Sequence, residues 1–306
     1  MRIAILGNGA MASLFGAFLS KSNDVTLIGR DRHKLELLSK NGLLVRELAT
    51  DMHFPVKVAV SGEYEGEADL VLLFVNGYAT KEMLQDNKNI IGKNTYVLSL
   101  QIGAGHAKEM KEFVALDHIL LGTTLHGATM LGLGAVNHST RGMTTIGRYD
   151  GGKEGLEDVA EAFSSAGLEI EISSNVRQAI WAKLLNNSTI SATTAILQCP
   201  LEYLAINSYA WDIVKGLLRE AIMTAKLEGY FFDGEDVEKE LREVCENSRY
   251  GYTTMYSDVA AGRTCEIDYI CGYISQKAHE KGLSTPMMDM AVLTVHALEG
   301  KHGLYS

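Results

Sequence analysis

The sequence lacks most of the features that mark a metal-binding, membrane or nucleic-acid-binding protein. Its four cysteines include no C-x-x-C pair, so the usual spacing of a zinc or redox-active site is absent. Its net charge of −10 at pH 7 argues against non-specific binding to nucleic acid or an anionic membrane. Every apolar run is shorter than the roughly 20 residues that span a bilayer, and the N-terminal run is too short for a signal peptide. We therefore expect a cytoplasmic protein with reduced thiols, no metal, and no nucleic-acid or membrane partner.

The N-terminus combines a strand, a glycine turn and a helix. An apolar run, Met1–Leu6, is followed by the turn and then by apolar residues at helical spacing over Ser13–Leu19. Gly7 would permit a tight turn, Gly9 the approach of a pyrophosphate, and Ala12 close packing of helix on strand. The helix N-terminus would offer free N–H groups to the phosphates. The pattern therefore predicts a dinucleotide site, rather than an ordinary strand-to-helix turn, at Gly7, Asn8, Gly9, Ala10, Met11 and Ala12.

A second predicted strand, Asp24–Ile28, ends about 20 residues beyond the glycines, where a dinucleotide fold selects its cofactor. Arg30 and Arg32 are typical partners of the 2′-phosphate of NADP. Asp31 is the residue type that would instead bind the ribose diol of NAD, or it caps a helix over residues 33–39. We therefore favour NADP (NADPH) over NAD, with Arg30 as the phosphate ligand.

The remaining pattern divides the 306 residues into two halves. Buried strands are predicted at 56–60, 68–75, 95–100, 118–124, 144–147 and 168–172, with short strands and turns over 127–138. Helices dominate from Asn175 onward, at 176–197, 209–228, 236–247, 266–281 and 287–299. This predicts an α/β chain with an N-terminal Rossmann-type doubly wound sheet over 1–173. An all-helical substrate and catalytic domain over 174–306 would be separated from it by a cleft.

Several polar residues are candidates for the site. Asn76 and Ile102–Gly103 follow predicted strands at their carboxyl ends, where ligands bind in open α/β sheets. Lys183 and Asn187 are four residues apart, on one face of a helix, and a buried lysine is able to protonate a carbonyl oxygen. The alternative for Lys183 is a solvated surface lysine. Glu266 is a second candidate, although an acid near a helix start is also favoured by the helix dipole.

Six groups of residues follow one another in order along the chain: Ile5–Ala10, Gly127–Ala128 with Gly134 through Gly147, Trp181–Lys183 with Asn187, Thr254–Met255 with Asp258, Thr264–Tyr269 with Gly272, and Thr285–Pro286. Their order and spacing resemble those of the ketopantoate reductase family (2-dehydropantoate 2-reductases) over essentially the whole chain. The resemblance implies NADPH-dependent reduction of 2-dehydropantoate to pantoate, on the pathway to coenzyme A.

The resemblance also implies roles for individual residues. Lys183 matches the general acid, and Glu266 matches the acid that holds the substrate hydroxyl, tunes the lysine and lies beside the cofactor. Asn187 matches a substrate-contacting asparagine. Thr254, whose alternative role is a helix-start hydroxyl, stands in place of a substrate-binding serine. Ser191 stands where the family often has asparagine, and we include it among the substrate-binding residues.

Two positions depart from the family pattern. Asn76 replaces the usual lysine, and Ile102 replaces the usual asparagine before Gly103; we retain all three as cofactor-binding candidates. Ile102 has no side-chain hydrogen-bonding group. Because the loss of a polar contact shifts specificity, the substrate can be one other than 2-dehydropantoate. One alternative is therefore an NADPH-dependent reductase of another 2-oxo acid or an imine, and another is a non-catalytic NADP-binding regulatory protein. The apolar helical half would form either its own core or a homodimer interface.

Overall fold

The computed structural model describes residues 1–48, 50–248 and 251–305. These residues form two compact units. The first comprises Met1–Gln101 and His106–Ala179, and the second comprises Ile102–Gly105 and the chain from Ile180 onward. Within the described residues, no helix is both long and apolar enough to cross a membrane.

The first unit contains the strands and five helices of the described chain. Its helices are α1 (Ala10–Leu19), α2 (Arg32–Asn41), α3 (Thr80–Asp86), α4 (Ala107–Met110) and α5 (Leu156–Ser164). Its strands are β1 (Arg2–Leu6), β2 (Asp24–Gly29), β3 (Leu43–Glu47), β4 (Thr50–Phe54), β5 (Lys57–Val60), β6 (Leu70–Leu73), β7 (Tyr96–Ser99), β8 (Ile119–Thr124), β9 (Gly127–Gly132), β10 (Ala135–Thr140), β11 (Thr144–Arg148) and β12 (Ile170–Ile172).

The main sheet of this unit has eight strands in the order β12-β11-β8-β7-β6-β1-β2-β5. Successive residues of β1 enter two different cores: Ile3 and Ile5 pack with Phe15 of α1, whereas Ala4 and Leu6 pack with residues of α3 and α4. Helices therefore cover both faces, and the predicted doubly wound sheet is confirmed. One detail differs, because β8 and β11 pair antiparallel while the other neighbours are parallel.

A second, four-stranded sheet, in the order β4-β3-β10-β9, was not predicted in full. The glycine-rich stretch forms the antiparallel pair β9 and β10, but strands over β3 and β4 were missed. The pattern there is weak because all residues of β4 and three of the five residues of β3 are exposed or partly exposed. Tertiary contacts stabilise this sheet: Val45 and Val136 are fully buried, and Arg141 donates to the Glu47 carboxylate over 2.6 Å.

The second unit is helical, as predicted. Helix α6 begins within the first unit and runs over Val176–Asn186; it continues through a π-helical segment, Asn187–Ser191, into α7 (Ala192–Leu197). The predicted single helix over 176–197 is thus continuous but contains a π-turn. The helix predicted over 266–281 likewise begins with a π-helical segment, Asp268–Gly272, and continues as α12 (Tyr273–Glu280). The other helices are α8 (Leu201–Ile206), α9 (Ser208–Leu227), α10 (Gly234–Asn247), α11 (Thr254–Ala260) and α13 (Pro286–Tyr305).

Candidate active site

The glycine turn lies at the point in the main sheet where the strand order reverses. The central order β5-β2-β1-β6-β7-β8 is that of a dinucleotide-binding fold, in which ligands bind where strands diverge, here between β1 and β6. Gly7 has φ +129°, and a Cβ on it would lie 3.0 Å from the carbonyl oxygen of Phe74, which follows β6. The turn therefore requires glycine at this position.

The start of α1 has the form of an anion-binding helix end. Gly9 is its N-cap residue and supplies no side chain to the first-turn N–H groups. A Cβ built on Gly9 would meet nothing within 4 Å. Open space therefore lies beside Gly9, where the N–H groups and the positive end of the helix dipole favour a phosphate.

Arg30 and Asp31 follow β2 and have different partners. The Asp31 carboxylate accepts a hydrogen bond from the Lys34 N–H over 3.0 Å and caps α2. The interpretation of Asp31 as a helix cap is therefore confirmed. Arg30 projects its guanidinium toward two carboxylates of α3, 2.9 Å from Glu82 and 3.6 Å from Asp86.

The two strand exits predicted to contact a cofactor belong to different units. Asn76 follows β6 in the first unit, and its amide donates to the Tyr78 hydroxyl over 2.7 Å. Ile102–Gly105 follow β7 but belong to the second unit, where the Ala104 N–H donates to the Tyr269 carbonyl over 2.9 Å. Gly103 has φ +93°, and a Cβ on it would lie 2.4 Å from that carbonyl oxygen. Only glycine permits this close contact, which positions Ile102.

A cavity of about 270 Å³ in the second unit brings five of the predicted residues together. They are Ile102, Asn187, Ser191, Thr254 and Glu266. Its apolar wall was not predicted and consists of Ile190, Leu201, Val244, Met255 and Ile270; further polar lining comes from Asn186, Tyr252, Thr253 and Asp258. The cavity thus combines amide, hydroxyl and carboxylate groups with aliphatic surface, as a site for a small polar molecule requires.

The π-helical segment after α6 supplies two of these polar groups. Asn187 is its first residue and Ser191 its last, and the Ser191 hydroxyl lies 3.4 Å from the Asn187 side-chain oxygen. A π-turn inserts one extra residue into a helix and changes which side chains share a face. The residues of this turn are also compatible with an ordinary helix, so the side-chain pattern did not predict the turn.

Two adjacent threonines at the start of α11, Thr253 and Thr254, have different roles. The Thr253 hydroxyl accepts the Tyr256 N–H over 3.1 Å as the helix cap, and it lies 2.9 Å from the Thr194 hydroxyl. The alternative of Thr254 as the helix-start hydroxyl is therefore wrong, since Thr253 is the cap. Thr254 is the first helical residue and lines the cavity.

Two carboxylates line the same cavity. Glu266 precedes the helical turn that begins at Ile267. Asp258, which was part of a quoted motif but had no predicted role, accepts hydrogen bonds from Arg263 over 2.8 and 3.0 Å. Burial raises the pKa of Asp258 above its ordinary value despite this arginine. The Thr254-Met255-x-x-Asp258 spacing was the available signal for it.

Lys183 lies one helical turn before Asn187 and is not among the residues that line the cavity. Its side chain is partly buried, and burial lowers its pKa from 10.5 to about 8. The alternative of a fully solvated surface lysine is therefore wrong. An ammonium with a pKa near 8 carries a proton at neutral pH and releases it readily.

Comparison with known proteins identifies the family. The sequence model described as Ketopantoate reductase PanE/ApbA matches residues 3–151, and its C-terminal counterpart matches residues 175–299. The 2-dehydropantoate 2-reductase of Pyrococcus horikoshii is 35% identical over 305 residues, with 99% of each chain covered. That of Streptococcus pyogenes is 31% identical over 304 residues, with 98% of each covered.

Solved structures of similar proteins agree with the family found by sequence comparison. A ternary structure of D-mandelate dehydrogenase with NADH and anilino(oxo)acetate has a TM-score of 0.92 at 31% identity, covering 98% of this chain and 99% of that one. A PanE/ApbA family ketopantoate reductase from Ralstonia eutropha JMP134 has a TM-score of 0.90 at 27% identity, covering 99% and 100%. With both family models matched in order and relatives above 30% identity along the full length, this chain belongs to the ketopantoate reductase family.

Proposed function

We propose that the protein is an oxidoreductase that reduces a small 2-oxo acid with NADPH, 2-dehydropantoate being the first candidate. The observation that carries the proposal is the cavity at which Asn187, Ser191, Thr254 and Glu266 meet, with Lys183 one helical turn away. Residues 1–173 bind the dinucleotide in this scheme, and residues 174–306 supply the substrate and catalytic groups. The relatives named 2-dehydropantoate 2-reductase support the choice of substrate.

The residues of the glycine turn fit a dinucleotide. Space beside Gly9 and the uncapped start of α1 suit a pyrophosphate. We assign the pyrophosphate to Gly7, Asn8, Gly9, Ala10, Met11 and Ala12. Arg30 is assigned to the 2′-phosphate, and Asn76, Ile102, Gly103 and Glu266 to the nicotinamide end. The bound nicotinamide supplies a hydride to the substrate carbonyl carbon.

The protein itself supplies the proton and the substrate contacts. In our proposal the Lys183 ammonium donates its proton to the carbonyl oxygen as the alcohol forms. Its pKa of about 8 keeps it protonated at neutral pH and makes it a stronger acid than an ordinary lysine. Glu266, Asn187, Thr254 and Ser191 hold the polar groups of the substrate, because amides, hydroxyls and carboxylates together match hydroxyl and carbonyl groups.

The test is oxidation of NADPH in the presence of 2-dehydropantoate and a panel of other 2-oxo acids, with NADH in parallel. Turnover that is fastest on 2-dehydropantoate is the expected result. Faster turnover on another 2-oxo acid would retain the reaction class and change the substrate. Nucleotide binding without turnover on any member of the panel would contradict the proposal and favour a regulatory role.

A second candidate is the reduction of a 2-oxo acid with a larger apolar side chain. Ile102 lines the cavity together with Ile190, Leu201 and Val244, and these side chains cannot hydrogen-bond a substrate hydroxyl. The similar D-mandelate dehydrogenase was solved with anilino(oxo)acetate, a small carboxylate that carries an aromatic ring. This candidate keeps the reaction, and the cavity recognises an apolar substrate side chain instead of a hydroxyl group.

Ile102→Asn distinguishes the two substrates. Restoring an amide at this position should raise kcat/KM for 2-dehydropantoate and lower it for an apolar 2-oxo acid such as phenylglyoxylate, changing their ratio by about tenfold or more. Ile102→Val is the matched control, because it keeps an aliphatic side chain, and it should change the ratio little. An unchanged ratio in Ile102→Asn would remove Ile102 from substrate recognition.

We also infer a cytoplasmic location and a homodimer. The location is supported by the four cysteines, which are all buried free thiols, as is common in reducing compartments. The homodimer is supported by the apolar side chains of Met290 and Leu293 on α13, which are more than 60% exposed. Light scattering of the purified protein tests the dimer, since a monomer mass at micromolar concentration would contradict it.

A further inference from the structure

Arg30 is held by two carboxylates of the same helix. Its guanidinium lies 2.9 Å from Glu82 and 3.6 Å from Asp86. The two acids are four residues apart on α3, so they occupy one face of that helix. All three side chains are at least 42% exposed, so these ion pairs are in contact with solvent and individually weak.

The surrounding charges are also compensated. The Arg32 guanidinium lies 2.5 Å from Glu63, and the Lys34 ammonium lies 3.3 Å from Asp31. Three cations at this end of the sheet are therefore opposed by four carboxylates, which are Asp31, Glu63, Glu82 and Asp86. These seven groups carry a net charge of −1, although the arginines alone would suggest a positive pocket for a phosphate.

The two residues before Arg30 lie beside the glycine turn. The Gly7 N–H donates to the Ile28 carbonyl over 2.9 Å, and the Asn8 amide nitrogen lies 3.4 Å from where a Cβ on Gly29 would be. A dinucleotide bound at Gly7–Gly9 would therefore have Arg30 and its two carboxylates close to one end. The position suits a residue that distinguishes a 2′-phosphate from a 2′-hydroxyl.

We propose that Glu82 and Asp86 are specificity-determining residues that weaken the preference for NADPH over NADH, so that this preference is about tenfold or less. The proposal rests on the proposed function, since it requires a dinucleotide at the glycine turn. A 2′-phosphate must compete with both carboxylates for Arg30 and is also repelled by them. A ribose with a free 2′-hydroxyl leaves the Arg30 ion pairs intact and incurs neither cost.

The experiment measures binding of two nucleotide fragments by calorimetry. The probes are 5′-AMP and 2′,5′-ADP, which differ only in the 2′-phosphate, and the full-length native protein should bind them within about tenfold of each other. In Glu82→Gln with Asp86→Asn, 2′,5′-ADP should bind about tenfold more tightly while 5′-AMP is unchanged, from the Coulomb energy of exposed charges several ångströms apart. The gain should shrink as salt is raised, because exposed charges are screened.

Glu112→Gln is the matched control. Glu112 pairs over 2.7 Å with Lys81, which lies on α3 beside Glu82. Glu112→Gln therefore removes one negative charge without releasing Arg30, and the ratio of the affinities for 2′,5′-ADP and 5′-AMP should stay within about twofold of the native ratio. If the double variant does not fold, judged by circular dichroism, Glu82→Gln alone should show about a threefold gain.

The outcomes separate the two proposals. An unchanged ratio in the carboxylate variants, an equal gain in Glu112→Gln, or a native preference for 2′,5′-ADP of a hundredfold or more overturns the role of Glu82 and Asp86 while leaving the reductase proposal intact. Failure of the native protein to bind either fragment or intact NADPH and NADH overturns both.

Discussion

Among single residues, the ammonium of Lys183 depends most strongly on its surroundings. A lysine in water holds its proton up to pH 10.4 or so, whereas burial lowers the pKa of Lys183 to about 8. The direction follows from desolvation, which disfavours the charged form of a base. At neutral pH, Lys183 therefore carries the proton that reduction of a carbonyl requires. In mild alkali the ammonium loses this proton and is no longer able to act as the acid.

The pH dependence of the reaction follows from that sign. Below a pH of about 8 Lys183 is protonated, so kcat/KM for reduction should be constant there and should fall about tenfold per pH unit above it. For oxidation of the hydroxy acid, which needs the neutral amine, the rate should rise up to the same pH and then level off. Stopped-flow rates between pH 6 and 10 measure both, and a reduction rate that stays flat to pH 10 would exclude Lys183 as the acid.

Among the secondary-structure elements, two π-helical segments supply part of the lining of the cavity. Asn187–Ser191 and Asp268–Gly272 contribute Asn187, Ile190, Ser191 and Ile270 to its lining. The segments also contact each other, as the Cys271 thiol lies 3.5 Å from the Ser188 carbonyl oxygen. A π-turn costs ordinary helical hydrogen bonds and is often found at functional sites.

Helix α13 depends on a buried carboxylate from α9. The Glu220 side chain is 7% exposed and accepts the Met287 and Met288 N–H groups over 3.0 and 2.9 Å. Glu220→Gln removes the charge that interacts with the helix dipole and turns an amide NH₂ toward those donors. It should lower the free energy of unfolding by about 1–2 kcal/mol.

Urea denaturation measures this effect. Asp212→Asn is a suitable control, because Asp212 is an exposed acid of the same helix paired with Lys215, and it should change stability by less than about 0.5 kcal/mol. Equal losses in the two variants would mean that the Glu220 carboxylate adds nothing beyond a surface charge.

At the scale of the whole molecule, the glycine turn and Lys183 belong to different units. Binding of the dinucleotide at the turn should therefore survive loss of the lysine. Lys183→Ala should reduce kcat by about 10²–10⁴-fold, the usual contribution of a general acid, while the Kd for NADPH measured by fluorescence stays within a few-fold.

Lys215→Ala is the comparison for that variant. Lys215 is a half-exposed lysine of α9 that pairs with Asp212, and its loss should leave both kcat and the Kd unchanged. If Lys183→Ala keeps its turnover, the assignment of the proton donor is wrong; if it loses NADPH binding as well, the two functions are not separable.

The class of fold and the family were both readable from the amino-acid pattern. Strands with continuous apolar residues, the turn at Gly7 and the long helical patterns are local signals, because they depend on the period of the side chains and on backbone freedom at one residue. The Asp31 cap was also readable from the sequence, since an acid before a helix start is favoured locally. The family motifs were visible because their order and spacing survive in the chain.

The composition of the cavity, in contrast, depends on contacts between residues that are far apart in the chain. Val244 and Leu201 reach the cavity from helices distant in sequence, and the π-helical segment at Asn187–Ser191 contacts the one at Asp268–Gly272. The contact between the Thr253 and Thr194 hydroxyls, and the two carboxylates on Arg30, likewise join residues that are distant in the sequence. Each depends on which side chains meet across elements, and neither residue spacing nor composition specifies such contacts.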